Sequence, residues 1–331
     1  MIIINAAPLI PGLIFRRFQG ESDYPHLAAV LTASQNADQV ERVANAEDIA
    51  QAIKNVSNCD PYRDMILVEV EGEVIGYTRG WWQDGENSTR LYSQNGFLVP
   101  GWRRKGIGQA MLDWMEARLH SIASTHPPEI TKFYQVNVTQ YQIGTAIMLE
   151  RSGYQPVRYY FEMVRPTLED ITEYPLPVGV EIRPAVPGHY RSIWTVLCET
   201  SLEQWGHKEL TEEDYHEWLT SPLFQPDLWQ VAWDTATNQV VGHVLTYIHH
   251  DENKQFNRKR GYTEEIGILP AWRRRGVARA LISRSLQAQR AAGMSESALT
   301  VDSENPNEAT KLYESCGFQI VKRDTLYRKP M

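Results

Sequence analysis

Short apolar runs that end in turn residues alternate along this chain with longer stretches in which apolar residues recur every third or fourth position. The first kind reads as strand, the second as helix. The clearest helix starts at Gly276, where Val277, Leu281 and Ala288, with Ala278, Ile282 and Leu286, form one apolar stripe. Read this way, the second half has a strand over 179–184, helices over 188–199 and 211–219, and strands over 228–234, 239–248 and 262–269. A helix from 276, a strand over 297–301, a helix over 307–316 and a last strand pair within 318–328 complete it. The order β-α-α-β-β-β-α-β-α-β predicts an α/β domain, of the α+β mixed-sheet kind, and not a Rossmann unit, which would begin β-α-β.

The first half repeats the pattern. Pro100, Trp102, Arg103 and Gly106 fall on Pro270, Trp272, Arg273 and Gly276 at a constant offset of 170. "EVIGYTRGWW" from Glu73 matches "QVVGHVLTYI" from Gln239, and "LERSGYQ" from Leu149 matches "YESCGFQ" from Tyr313. Offsets this large exceed solenoid periods and mark one duplicated domain. The segment Arg165 to Gly179, rich in proline and acidic residues, reads as a linker, so the domains are expected at 1–172 and 173–331.

Composition changes this picture little. A length of 331 residues suits two domains, and 42% apolar residues can build two cores. The net charge of −8 argues against a general nucleic-acid binder while leaving room for a local basic pocket. Cys59, Cys198 and Cys316 form no ligand pair and no disulfide framework, which points to a reducing cytoplasm. The apolar start is broken by Pro8 and Pro11 and is a poor signal peptide. With no run of 18 apolar residues, no membrane span is expected.

Candidate chemistry gathers where the strand ending at Pro270 meets the helix from Gly276. Helix N-termini expose unpaired N–H groups and carry roughly half a positive charge. Gly276 and Ala278 let a ligand approach the backbone, and Arg273, Arg274 and Arg275 add phosphate-matching charge. Together they predict a pyrophosphate cradle. The alternative, a solvated basic turn, is weakened by recurrence of the loop as Arg103, Arg104, Lys105, Gly106, Ile107 and Gly108. No Walker or GxGxxG motif is present.

The pattern Arg-x-x-Gly-x-Gly/Ala after a strand, followed by "NPNEATKLYESCGF", resembles the GNAT superfamily of N-acetyltransferases, and tandem GNAT proteins exist. Arg273, Gly276 and Ala278 match that family's acyl-CoA loop; Asn305, Ala309, Tyr313, Gly317 and Phe318 match its second motif. The resemblance implies two GNAT domains, acetyl-CoA as donor and a small-molecule amine as acceptor. It places the pantetheine arm along the fourth strand of the domain, near Ile266 and Ile268 and in the first half near Leu98. It sets the diphosphate on Arg273 to Ala278, Val277 included, with Asn305 and Ala309 beside the cofactor. No metal, nucleic acid or membrane is implied, and a monomer or a homodimer is compatible.

Acyl transfer needs a neutral amine and a protonated leaving thiolate. An amine of pKa ~10.4 costs about 4.6 kcal/mol to neutralise at pH 7, so a base is required. The resemblance places the acid at Tyr313, which by pattern alone also reads as a core tyrosine. Glu264 is the first base candidate and Glu265 the second, although the position where family members often carry glutamate holds Tyr262. Plain strand alternation sets Tyr262, Glu264, Ile266 and Ile268 on one face and Thr263, Glu265 and Gly267 on the other. Asn305 reads equally as a turn or cap residue. In the first half, Leu149 falls on Tyr313, and at offset 170 Gln94 and Asn95 replace Glu264 and Glu265. That half is expected to be catalytically degenerate.

His249, His250 and Asp251 sit before a polar stretch and read as a surface hairpin, because adjacent strand residues face apart. The aromatics Trp205, Tyr215 and Trp218 line either an acceptor pocket or a core. The rival functions are a non-catalytic acyl-CoA sensor, a longer-chain acyltransferase, or acetylation of a protein amine.

Overall fold

The computed structural model describes residues 2–331 except 5, 6, 42–44, 87, 208 and 306. It divides into two compact units, one of Met1–Arg158 with Asp324–Met331 and one of Tyr159–Arg323.

The first unit runs β1 (Leu13–Arg17), α1 (Tyr24–Ala37), α2 (Ala46–Lys54), α3 (Pro61–Asp64), β2 (Met65–Val70), β3 (Glu73–Asp84), β4 (Thr89–Leu98), α4 (Ile107–Ala123), β5 (Thr131–Thr139) and α5 (Ile143–Arg151). The strand β6 (Gln155–Arg165) follows. The second half of the chain repeats the order, without a match to α3 and with α8 added, as β7 (Val180–Arg183), α6 (Tyr190–Ser201), α7 (Glu212–Thr220), β8 (Gln230–Asp234), β9 (Gln239–Tyr247), α8 (His250–Gln255), β10 (Arg260–Ile268), α9 (Val277–Ala291), β11 (Glu296–Asp302), α10 (Ala309–Ser315) and β12 (Gln319–Pro330). In place of the expected surface hairpin, α8 follows β9, and the His249 ring accepts from the Glu252 N–H at 3.3 Å.

Local chemistry explains the helix starts. Capping boxes, Asn45 with Asp48 and Thr211 with Asp214, satisfy the first N–H groups of α2 and α7. The starts of α4 and α9 carry no side-chain cap and instead follow Gly106 and Gly276, both left-handed at φ 84 and 86. The apolar stripe of α9 is buried: Leu281 and Ile282 are inaccessible and pack with Val241, Val244 and Leu299. Burying each such side chain stabilises by about 1.5–3 kcal/mol. On the other face of the second unit's sheet, Trp194, Tyr215, Trp218 and Trp229 pack with Leu245 in an aromatic core.

The sheet of the first unit has the order β1-β2-β3-β4-β5-β12, that of the second β7-β8-β9-β10-β11-β6. Tyr160 to Arg165 of β6 run antiparallel to β11, and Asp324 to Pro330 of β12 run antiparallel to β5. Each half thus ends in a strand that completes the other half's sheet. The structural division therefore falls at 158/159 and 323/324, away from the single cut at 172, and the expected closing strand pair is one continuous strand. Nor is the segment 165–179 a free linker. Leu168 is buried, Ser283 Oγ donates to the Thr172 carbonyl at 2.6 Å, and Arg284 donates to the Tyr174 carbonyl at 3.0 Å.

Candidate active site

Two irregularities of β10 build the site. β10 and β11 pair in parallel only from Arg260–Glu296 to Tyr262–Ala298. Beyond that point they diverge, and among the described residues the β10 edge facing β11 has no strand partner. Against β9, the register of β10 slips by one residue between Glu264 and Ile266. The extra residue is Glu265, held at φ 46 in the left-handed region, where a β-bulge re-aims its neighbours.

The bulge overturns the expected alternation. Thr263 hydrogen-bonds Ser297 and Gln289 on the α9 side, and Ile266 and Ile268 pack into the α9 core. Glu264 pairs with Leu245 and, with Gly267, faces α6. A methyl added at Gly267 would overlap Thr200 Oγ1 and lie 2.6 Å from His243 Cε1. Close approach thus demands glycine there. His243 itself is buried, and burial pushes its pKa down to about 4, so the ring is neutral.

Glu264 reaches across the divergence. Its Oε1 accepts the Thr300 N–H of β11 at 3.0 Å. Burial first, then the charge of Glu265, pushes its pKa up to about 8, against the pull of that N–H. Glu265 is exposed to solvent at the bulge, and the groove walls raise its pKa too, an effect that water screens. Tyr313, on α10, is buried, and its phenol pKa is raised by burial first and then by the Glu264 charge. The pair Glu264 and Tyr313 is therefore brought within electrostatic reach by the structure. Tyr262 belongs to another network, donating to Glu252 at 2.6 Å and stacking on Tyr247.

The basic loop follows a short 3-10 turn over Pro270–Trp272. Arg273 is engaged by two groups of its own unit. Its Nε donates to the Ile268 carbonyl at 2.9 Å, and Nη1 donates to both oxygens of Glu203 at 3.0 and 2.7 Å. The first unit repeats this clamp: Arg103 Nε donates to the Leu98 carbonyl at 3.1 Å, and its Nη atoms hold Asp38 at 2.6 and 2.9 Å. In both copies the first arginine ties the loop to the end of the domain's first helix. Sequence reasoning missed Glu203; the signal was an acid just past that helix in each half, Asp38 and Glu203. Beside Arg273 stand Arg274, whose guanidinium lies 3.8 Å from a Glu308 oxygen, Arg275, and the N–H groups of Gly276, Val277 and Ala278, at a helix start with no side-chain cap. The Val277 side chain is core, as is Ile107 in the first unit. Space beside Gly276 is open to 4 Å. Arg275 and Lys105 lie over Trp272 and Trp102 at 5.0 and 4.3 Å.

Asn305 Oδ1 accepts from the Asn307 N–H at 2.9 Å, a turn contact, and Ala309 is buried at the start of α10. In the first unit, β3 and β4 keep an unbroken register from Gly76–Leu98 to Asp84–Arg90, with no bulge. Pairing therefore sets Asn95 opposite Arg79 as Glu264 is opposite Leu245, and Gln94 takes the place of Thr263. Glu265 has no counterpart. Leu149 is buried in the α4 core at the Tyr313 position. Pro8 lies 3.5 Å from where a methyl on Gly106 would stand, within a segment whose Ile4 and Ile10 pack with Trp102. Arg104 approaches Gly144, and Gly108 faces Met148.

Among the described residues no group of three or more His, Cys, Asp or Glu is placed to hold a metal, and no helix is long and apolar enough to cross a membrane.

Two GNAT-type sheets, each opened after its fourth strand beside a glycine-led helix, define an acyl-CoA-dependent N-acetyltransferase of tandem type. Residues 190–318 match the acetyltransferase (GNAT) family model and 61–156 match an acetyltransferase (GNAT) domain model. Together they take in more than half of the chain, which belongs to the GNAT acetyltransferase family. A mycothiol acetyltransferase of Geodermatophilus obscurus is 27% identical over 98% of this chain and 99% of its own length. One from Frankia alni is 25% identical over 97% of this chain and 95% of its own. A GCN5-related N-acetyltransferase from Sphaerobacter thermophilus superposes with a TM-score of 0.75 at 25% identity, covering 97% of this chain and 96% of that one. A tandem GNAT protein from the clavulanic acid biosynthesis pathway shares the fold with a TM-score of 0.67 at 15% identity, over 96% of this chain and 98% of that one.

Proposed function

We propose that the second unit carries out the transfer of acetyl from acetyl-CoA to a small amine, with Glu264 as proton acceptor and Tyr313 as proton donor. The carrying observation is the pair itself: a carboxyl raised to about 8 where β10 leaves β11, and a buried phenol that feels its charge. The free β10 edge at Ile266 to Ile268 supports a place for the pantetheine amides. Arg274, Arg275 and the α9 N–H groups support a place for the diphosphate.

In the reaction, Glu264 takes a proton from the ammonium, so the neutral nitrogen attacks the thioester carbon. The C–N bond forms first, giving a tetrahedral oxyanion that free N–H groups of β10 stabilise. As it collapses the C–S bond breaks, Tyr313 gives its proton to the departing sulfur, and the second proton of the attacking nitrogen passes through solvent to restore the phenol. No covalent enzyme intermediate is needed. The first unit lacks the acid, the bulge and Glu264, and Pro8 crowds its loop; these features support a reading in which it does not transfer acetyl groups.

The mycothiol acetyltransferases cover nearly all of this chain, which supports the amine precursor of mycothiol as acceptor. The unpaired Cys59, Cys198 and Cys316 support a reducing cytoplasm. The test is acetyl-CoA binding by calorimetry alongside release of free CoA with that amine. Tyr313→Phe is expected to lower kcat by roughly 10²–10⁴ with unchanged acetyl-CoA affinity. An undiminished kcat would remove Tyr313 from the mechanism, and no acetyl-CoA uptake by the unaltered protein would sink the reading.

A further inference from the structure

The first unit holds a cavity of about 330 Å³ between α1, α2 and the sheet, lined by no residue of its basic loop. Leu31, Ile49, Ile53 and Phe97 give it apolar walls. Besides Tyr77 and Asp48, polar side chains line it from three elements: Gln35 of α1, Asn95 of β4 and Arg79 of β3. Gln35 Oε1 and Asn95 Oδ1 are both sealed from solvent with no hydrogen-bond partner among the described residues, and the Gln35 residue is only 7% exposed. Arg79 donates to the Ala52 carbonyl at 3.1 Å, and no carboxylate pairs with it among the described residues. Asp48 stands at the exposed rim, where its carboxylate closes the α2 capping box.

Unpartnered buried carbonyl oxygens are costly, and a half-buried guanidinium without an anion is costly too. The second unit shows that the fold does not require them. Arg79 stands opposite Asn95 as Leu245 stands opposite Glu264, and Leu245 is a plain core residue in the aromatic cluster. We propose that this cavity is a binding site for a small carboxylic acid with an apolar body and an N–H or O–H donor. The carboxylate would pair with Arg79 and the body would fill the apolar walls, while a turn of the Gln35 or Asn95 side chain would bring its buried carbonyl oxygen out to the ligand's donor. A cavity of this size suits a ligand of metabolite size. The site needs no acetyl-CoA and no residue of the second unit.

The test uses the full chain and calorimetry, with N-acetyl-L-leucine as acid probe and N-acetyl-L-leucinamide as its uncharged control. The acid is expected to bind saturably, and the amide at least tenfold more weakly. Arg79→Leu installs the residue that the second unit carries and is expected to fold, to keep acetyl-CoA uptake, and to lose acid binding at least tenfold. Arg79→Lys should restore part of it. The proposal is overturned if neither probe binds, if acid and amide bind alike, or if Arg79→Leu leaves acid affinity unchanged. Acetyl-CoA uptake in the same samples separates these outcomes from failure of the second unit.

Discussion

Replacing Glu264 by glutamine tests the proposed chemistry most sharply, because a carboxyl that titrates near 8 leaves a signature in the pH profile. With that pKa, about 1% of the groups are ionised at pH 6, about 9% at pH 7 and half at pH 8. An ordinary glutamate would be almost wholly ionised across this window. If Glu264 takes the proton from the ammonium, kcat/KM for the acceptor rises about tenfold per pH unit and then bends to a plateau near pH 8. Tyr313, its pKa raised, keeps its proton throughout, so no fall is expected up to pH 9. In Glu264→Gln the bend near 8 disappears and only the acceptor amine's own titration remains, at a rate lower by roughly 10²–10⁴. The assay is release of free CoA, separated by chromatography, at fixed ionic strength from pH 6 to 9. A bend near 8 that survives in Glu264→Gln would refute the assignment, as would a flat profile in the unaltered protein.

Two further outcomes concern stability. Because the folded-state pKa of Glu264 lies above its unfolded value, its ionisation opposes folding; the cost is absent below pH 4 and grows as pH rises toward 8. Glu264→Gln should therefore stabilise the fold at pH 8 and not at pH 4, by about 1–3 kcal/mol once partial solvent access is allowed for, seen as a higher melting temperature at pH 8 alone; equal melting curves at pH 8 would count against the shifted carboxyl. Gly267→Ala should destabilise by about 1–3 kcal/mol, since the methyl meets Thr200 and His243; an unchanged denaturation midpoint would show that the contact relaxes freely.

The space between the first two helices and the sheet differs between the copies. Leu245 and Arg79 occupy one fold position; Trp194 and Trp218 belong to the cluster around Leu245, whereas Leu31 and Ile53 belong to the smaller-chained cluster of the first unit. Packing shows that one copy closed this space with aromatics while the other kept it open and polar.

Much was legible from residue order because it depends on near neighbours. The duplication, the glycine-led helices and the candidates Tyr313 and Glu264 all rest on motifs and periods spanning a few turns or strand residues. The bulge at Glu265 was not legible: an extra strand residue leaves no local mark, and it reverses which face every later side chain takes. The contact between Arg273 and Glu203 was hidden for a related reason, since the two lie 70 residues apart and charge alone does not name a partner. Strand exchange was hidden most fully. Periodicity records that β6 and β12 are strands but not which edge receives them, because backbone hydrogen bonds between strands are nearly independent of side-chain identity. Local pattern thus settled the elements and the chemistry on offer. Long-range pairing decided which groups meet and which way they face.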